Sequence, residues 1–252
     1  MKESPAAPVL AVRDVTVSFG GLLALSHVHL EIPAGARHGI LGPNGSGKTT
    51  LFNVITGFVA PTSGSIVLRG IDATRLPPHR RVQLGLARTF QITTLFPLLT
   101  ALDNVLMGAL VKLGNHRGVW RAASQDKEAR AVAAALLAEL GLEHLAQRAV
   151  RDLGYGEQRQ LEIAVALAAG PRVLLLDEPT AGLSAAETEM VSGLIRRLSS
   201  ELTVVLIEHD LEVIFELADH LTVLYNGERI ADGPAQVIRE DPVVKGVYLG
   251  GN

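Results

Sequence analysis

The stretch GPNGSGKTT, residues 42–50, puts three glycines, one lysine and two threonines into nine positions. Its residues Gly42, Pro43, Asn44, Gly45, Ser46, Gly47, Lys48 and Thr49 fit the pattern G-x-x-x-x-G-K-[ST], with Thr50 next. A short apolar run, Gly39 to Leu41, leads into it, and Leu51, Val54, Ile55 and Phe58 follow at helical spacing. The context is strand, loop, helix. Glycines let successive backbone N–H groups converge on an anion, and the helix start adds partial positive charge. Lys48 supplies a full charge, and Thr49 offers a hydroxyl to a magnesium ion. A triphosphate such as ATP, with Mg2+, fits that arrangement. The competing reading, an ordinary turn, leaves unexplained a pattern that chance rarely produces in a chain of this composition.

A length of 252 residues suits one large domain or a domain with a lobe inserted in it. Hydrophobic residues make up 48% of the chain, yet no unbroken apolar stretch approaches the about 18 residues of a membrane-spanning helix. The N-terminus, MKESPAAPVLAVRD, lacks the basic start, apolar stretch and cleavage site of a secretory signal, so a soluble cytosolic chain is expected. Without cysteine there is no disulfide, thiolate metal site or thiol nucleophile. The net charge of -3 argues against a nucleic-acid partner, which needs an excess of Lys and Arg, and no polybasic membrane patch occurs.

Val28, Leu30 and Ile32 alternate with His27, His29 and Glu31, the period of a strand with one wet face. His27 and His29 are therefore expected in solvent; no third ligand accompanies them as a metal site would require. Further strands are expected at Leu10 to Phe19 and Ser65 to Arg69, giving an antiparallel patch beside the glycine-rich loop. From about residue 78 to 170 helical patterns dominate, including Val132, Leu136, Leu137 and Leu140 ending at Gly141. Thr100 and Asp103 have capping-box spacing ahead of Leu102, Val105 and Leu106. The reading is a helical subdomain, approximately 85–165, inserted in a nucleotide-binding core. Beyond it, Val173 to Leu176 and Thr203 to Ile207 read as strands buried on both faces of a parallel sheet. Between them Ser184 and Glu187 have capping spacing, and Met190, Val191, Leu194, Ile195 and Leu198 mark a helix face. LTVLY and ERIA flank Asn226-Gly227, a two-residue hairpin turn.

Asp177 and Glu178 stand at the carboxyl end of VLLL, where a parallel sheet opens onto its ligand crevice. One carboxylate can hold magnesium through water, and the other can polarise the water that attacks a γ-phosphate. Exposed helix-capping acids are the plainer alternative. His209 ends the strand TVVLIE, where an imidazole can reach a γ-phosphate oxygen, although a histidine there is often only a polar strand terminus.

Taken together these segments resemble the ATPase subunits of ABC transporters, and the likeness covers nearly the whole chain. Phe19 sits where that family stacks an aromatic on adenine. GPNGSGKT resembles its Walker A, Gln91 in RTFQ its Q-loop, LGYGEQ with Gly154, Tyr155, Gly156 and Glu157 its signature, LLLDEP its Walker B, and His209 its switch histidine. The resemblance implies an α/β P-loop NTPase fold: a parallel-sheet core, an antiparallel β subdomain and an inserted α-helical subdomain. It also implies catalytic roles for Glu178, His209, Gln91 and Lys48, with magnesium at Thr49, Gln91 and Asp177.

Within the family, RTFQ, the tyrosine of LGYGEQ, PTAGL, EHD at 208–210 and the closing VYLG look like the subunits that drive branched-chain amino-acid import. Similar sequences serve urea or amide uptake and lipopolysaccharide export. The implied assembly is a head-to-tail dimer, with a second copy or a sibling ATPase, in which ATP lies between one chain's P-loop and the other's signature. Transmembrane permease subunits would dock near the helical lobe, with Gln91 and ITTLFP as the link and an extracytoplasmic binding protein delivering cargo. The implied location is the cytoplasmic face of a bacterial inner membrane.

Two positions depart from the family pattern. Gly154 replaces a serine whose hydroxyl contacts the opposing γ-phosphate, and Ser184 replaces a common aspartate; Glu157 for glutamine is a frequent variant. Other readings are a soluble ABC ATPase for assembly or repair, and a P-loop GTPase or kinase; the chain has no [NT]-K-x-D guanine-reading segment.

Overall fold

The computed structural model describes residues 7–89, 95–112 and 126–249. Gln91, the ITT of ITTLFP and the last glycine of VYLG therefore lie outside the described residues. In chain order, β1 (Leu10–Phe19), β2 (Leu22–Ile32) and β3 (Arg37–Leu41) lead to α1 (Lys48–Thr56). Strands β4 (Ser63–Leu68) and β5 (Ile71–Asp72), helix α2 (Pro78–Gln83) and strand β6 (Leu86–Arg88) follow. Helices α3 (Ala101–Lys112), α4 (Lys127–Glu139) and α5 (Tyr155–Ala168) come next. The chain then alternates through β7 (Val173–Asp177), α6 (Ala185–Arg197), β8 (Thr203–Ile207) and α7 (Leu211–Leu217). It closes with β9 (His220–Tyr225), β10 (Glu228–Pro234), α8 (Ala235–Glu240) and α9 (Pro242–Leu249).

Two sheets result. One is antiparallel, in the order β2-β1-β4-β5; the other runs β10-β9-β3-β8-β7-β6, parallel except for the β9–β10 hairpin. The central strands carry apolar side chains on both faces because both are covered. Leu174, Leu176, Val204 and Leu206 point into the core shared with α3, α5 and α6, while Val173, Leu175, Val205 and Ile207 pack with α1 and the antiparallel sheet. α1 is thus held between the two sheets, its Leu51, Phe52, Val54 and Ile55 fully buried.

Local signals mostly set the element ends. α4 stops where Gly141 takes φ +74; the Gly141 and Leu142 N–H groups donate to Ala138 O at 3.0 Å and Leu137 O at 2.7 Å, closing the last turn. Asn226 at φ 48 and Gly227 at φ 80 form the hairpin turn. Before α3 the capping pair differs from a box: the Asp103 N–H donates to Thr100 Oγ1 at 3.1 Å, but the Asp103 carboxylate takes the Thr100 hydroxyl at 2.7 Å. α1 is shorter than its apolar spacing predicts. Gly57 ends it at φ 84, and Phe58, beyond the helix, is exposed. Met190 is likewise exposed on α6. His27 and His29 face solvent, as the β2 alternation predicts.

One buried polar cluster binds β3 to the hairpin. The Thr222 hydroxyl donates to Asp232 Oδ1 at 2.5 Å, so His38 Nε2, 2.8 Å from Thr222 Oγ1, must carry the proton of that contact. Burial, and then the neighbouring His220, push His38 from 6.5 down to about 4, against the pull of Asp232. The unfolded chain therefore takes up this proton first as pH falls. Stability from neutral His38 is complete above 6.5 and is lost toward about 4. Thermal melts across that range should fall more steeply for the wild type than for His38→Gln; parallel profiles would assign the titration elsewhere.

Candidate functional site

β3 ends at Leu41 and the chain turns through Gly42 (φ 155), Gly45 (φ 80) and Gly47 (φ 102) into α1. Gly47 has no room for a side chain: a Cβ there would lie 2.7 Å from Ala24 O and from Leu25 Cδ2. At Gly45 a Cβ would meet nothing within 4 Å, so that part of the loop faces open space. The first N–H groups of α1 have no intrahelical acceptor and lie at this opening. The loop is fixed from behind by Gly227 N–H donating to Ser46 O at 3.1 Å and Ser26 N–H donating to Gly227 O at 2.8 Å.

The opening is a groove of about 320 Å³ lined by Asn44 to Thr50, by Phe19, Leu22, Leu23 and Ala24, and by Glu178. Phe19, at the end of β1, is 49% exposed, and this leaves an apolar ring face at the edge of a phosphate-sized cradle. Lys48 is buried and donates to Gly42 O at 2.6 Å and Pro43 O at 3.0 Å. Burial lowers its ammonium below the ordinary lysine value, while Glu178 and then Asp177 pull the other way.

Of the two acids only Glu178 lines the groove, and Asp177, next to it in sequence, is buried. Asp177 is the last residue of β7, buried, and its Oδ2 accepts from Arg88 at 2.6 Å. Its Oδ1 is buried and has no hydrogen-bond partner among the described residues. Glu178 takes a left-handed φ of 48 and donates its N–H to Ile207 O at 2.9 Å, which turns the chain out of the sheet and into the groove wall. The orphan Asp177 oxygen, and the Thr49 hydroxyl and Glu178 carboxylate on the groove wall, are hard oxygen donors of the kind a hydrated magnesium ion takes. Gln91, the third expected ligand, lies outside the described residues.

His209 follows β8, two residues beyond Ile207, which pairs with Asp177. Its side chain is 58% exposed, and it does not line the groove. Beside it, Glu208 is fully buried and accepts from Thr180 N at 3.0 Å and Thr180 Oγ1 at 2.7 Å, tying the end of β8 to the loop after the acids. Burial pushes the Glu208 carboxyl up, and the two Thr180 bonds oppose that shift.

Gly154, Tyr155, Gly156 and Glu157 are brought together elsewhere, at the start of α5, and none lines the groove. Glu157 accepts from Gly154 N at 2.8 Å and from Arg148 at 2.9 Å; the Tyr155 hydroxyl accepts from Arg159 at 2.9 Å. Gly156 N–H donates to Glu187 Oε1 at 3.2 Å. Glu187 also takes the Ser184 N–H at 2.9 Å and hydroxyl at 2.7 Å, so one carboxylate holds the starts of α5 and α6. The Ser184 bonds, then the Gly156 bond, lower its pKa. Arg88 opens RTFQ, Glu208 opens EHD and Thr180 lies in PTAGL. Those segments carry the family resemblance, yet nothing in their sequence points to the partners that Arg88 and Glu208 find in the fold.

The ABC transporter family pattern matches residues 25–181. The chain belongs to the ABC transporter family. Curated relatives include the high-affinity branched-chain amino acid transport ATP-binding proteins BraF of Pseudomonas aeruginosa and LivG of Escherichia coli K12. They are 41% and 39% identical over 250 residues, covering 96% of this chain and 98% of each relative. A solved ADP conformation of MJ1267, an ATP-binding cassette of an ABC transporter, is 31% identical with a TM-score of 0.86, covering 97% of this chain and 100% of that one. This ABC chain is an ATP-binding and ATP-hydrolysing cassette with the α/β architecture of the family.

The two signature glycines of this cassette have different steric demands. At Gly154 the nearest atom to an added Cβ is Glu157 Oε2 at 3.7 Å, whereas at Gly156 it would lie 2.8 Å from Glu187 Cγ. Gly156→Ala should therefore cost about 1–3 kcal/mol by overpacking, while Gly154→Ser should melt within a degree or so of the wild type. Equal melting temperatures for both variants would contradict the Glu187 contact.

Proposed function

We propose that this chain powers the uptake of branched-chain amino acids by driving a pair of transmembrane permease subunits from the cytoplasmic face of a bacterial inner membrane. The observation that carries the reading is one groove joining Phe19, the P-loop with Lys48, and Glu178. The likeness to BraF and LivG along nearly the whole chain supports the cargo. No helix among the described residues is long and apolar enough to cross a membrane.

In this reading the adenine stacks on Phe19, the loop amides and Lys48 grip the β- and γ-phosphates, and Thr49, Asp177 and Gln91 hold magnesium. The metal, when bound, supplies positive charge that offsets the charge developing between the β- and γ-phosphates. Glu178 orients a water on the γ-phosphorus and takes its proton as the new P–O bond forms and the bond to the ADP oxygen breaks. His209 steadies a γ-phosphate oxygen. The signature at α5 stands apart from its own chain's groove, which favours a head-to-tail dimer in which Gly154, Tyr155, Gly156 and Glu157 complete the partner's site. That partner is either a second copy or a sibling ATPase, and an extracytoplasmic binding protein supplies the cargo.

Glu178→Gln should keep ATP affinity and lose about 10²–10⁴-fold in turnover, read as phosphate release; undiminished turnover would reject the role of Glu178. Proteoliposomes holding this chain with its permease subunits should take up labelled leucine, isoleucine or valine on addition of ATP. Uptake of urea alone would favour the amide reading.

Gly154 leaves only backbone donors for the opposing γ-phosphate, one hydrogen bond to a charged acceptor fewer than serine would give. That bond is worth about 1.5–3 kcal/mol, so Gly154→Ser should strengthen ATP-driven dimerisation about tenfold or more; unchanged dimerisation and ATPase rates would remove the idea.

A further inference from the structure

Arg88 ends β6, the short edge strand, where it pairs with Leu175 of β7. From that register its side chain runs about two residues, or about 6.6 Å, along the neighbouring strand to Asp177. The guanidinium donates through Nη2 to Asp177 Oδ2 at 2.6 Å, with side-chain exposures of 7% and 2% for the pair. Through Nη1 it donates to Asn53 Oδ1 at 2.7 Å and Thr56 Oγ1 at 3.4 Å, both on α1. Its carbon lies 5.5 Å from the centre of the Phe52 ring, also on α1. One planar cation therefore joins the acid at the end of β7 to the helix that follows the P-loop.

Lys48 does not do this work, because its ammonium is engaged by Gly42 O and Pro43 O. With Oδ2 taken by Arg88, Asp177 keeps one oxygen, Oδ1, which is buried without a hydrogen-bond partner among the described residues. An unpartnered buried carboxylate oxygen is costly unless a ligand meets it. We propose that Arg88 is a positioning residue for magnesium: by clamping Asp177 Oδ2 to α1, it fixes Oδ1 as the oxygen that receives the hydrated ion. Lysine cannot replace it, since a point charge cannot hold Asp177 and Asn53 in one planar fork.

The inference rests on the magnesium reading of the groove, and the test separates the two. Binding of a fluorescent N-methylanthraniloyl ATP is measured on the full chain in EDTA and in MgCl₂, for the wild type, Arg88→Lys, Arg88→Met and Asn53→Ala. The gain in affinity on adding magnesium should fall about tenfold or more in both Arg88 variants and less in Asn53→Ala, with metal-free affinity held within about twofold. A guanidinium that only braces the core would lower the melting temperature and leave that gain intact, or weaken both affinities together. Either result in folded Arg88→Lys overturns the proposal, and if the Arg88 variants fail to fold, an unchanged gain in Asn53→Ala does so. A wild type that gains nothing from magnesium overturns the metal reading and this inference with it.

Discussion

The two ends of α1 meet opposite electrostatic demands, and the rest of the site is arranged around that fact. A helix carries partial positive charge at its amino end and partial negative charge at its carboxyl end. Inside this protein the negative end is closed: Arg81, 1% exposed, donates to Val54 O at 2.6 Å and Ile55 O at 2.7 Å, as well as to Leu76 O at 2.9 Å and Thr74 O at 3.1 Å. Burial pulls the Arg81 pKa down and Asp72 resists that, yet a guanidinium starts so high that it stays charged. The positive end is left facing the groove. Burying a full cation at one end of a nine-residue helix is costly, and its carbonyl partners offset that cost while keeping the opposite end available to an anion from solvent.

The sheet order then decides which chemistry meets that anion. β3, which feeds the P-loop, lies next to β8, and β8 lies next to β7. Because all three run parallel, Lys48, Asp177 with Glu178, and His209 emerge at the same sheet end. The strand between carries the histidine, so His209 stands between the phosphate loop and the acids. Two buried ties keep this order rigid, Glu208 to Thr180 across the β7 and β8 ends and Arg88 from β6 past β7 to α1. Arg88 and Asp177 form a buried ion pair, while the buried Glu208 carboxyl is held by the Thr180 N–H and hydroxyl, so each tie restrains the segment that carries the acids.

Much of this was legible before any coordinates, because it is encoded locally. The P-loop, the two apolar strands, the Ser184–Glu187 cap and the Asn226-Gly227 hairpin all rest on short-range chemistry that survives in one window of sequence. β6 was not legible. Three residues, Leu86–Arg88, have no periodicity to detect, and they are strand only because Leu86 and Ala87 find Val173 and Leu174 across a parallel ladder. The exposure of Phe58 escaped the helical pattern for a related reason: Gly57 stops α1 first, and spacing alone cannot see a left-handed stop. The burial of Arg81 and the partners of Arg88 and Glu208 share the same obscurity: Arg88 and Glu208 sit in RTFQ and EHD, but a charge in a sequence does not announce the partner that buries it.

The signature segment poses a separate physical problem, because it lies away from the groove of its own chain yet is tied to it. Glu187 accepts from Ser184 at the start of α6 and from Gly156 at the start of α5, so two helix amino ends share one carboxylate. Each end favours an anion, and the shared bonds lower the Glu187 pKa, which keeps it ionised. Only glycine at 156 permits this approach, since a Cβ would lie 2.8 Å from Glu187 Cγ. The loop that follows Glu178 therefore cannot shift without drawing the start of α5 with it or breaking a charge-assisted bond. The loop after the acids and the start of α5 are coupled by a single side chain, which is a shorter route than any path through the packed core.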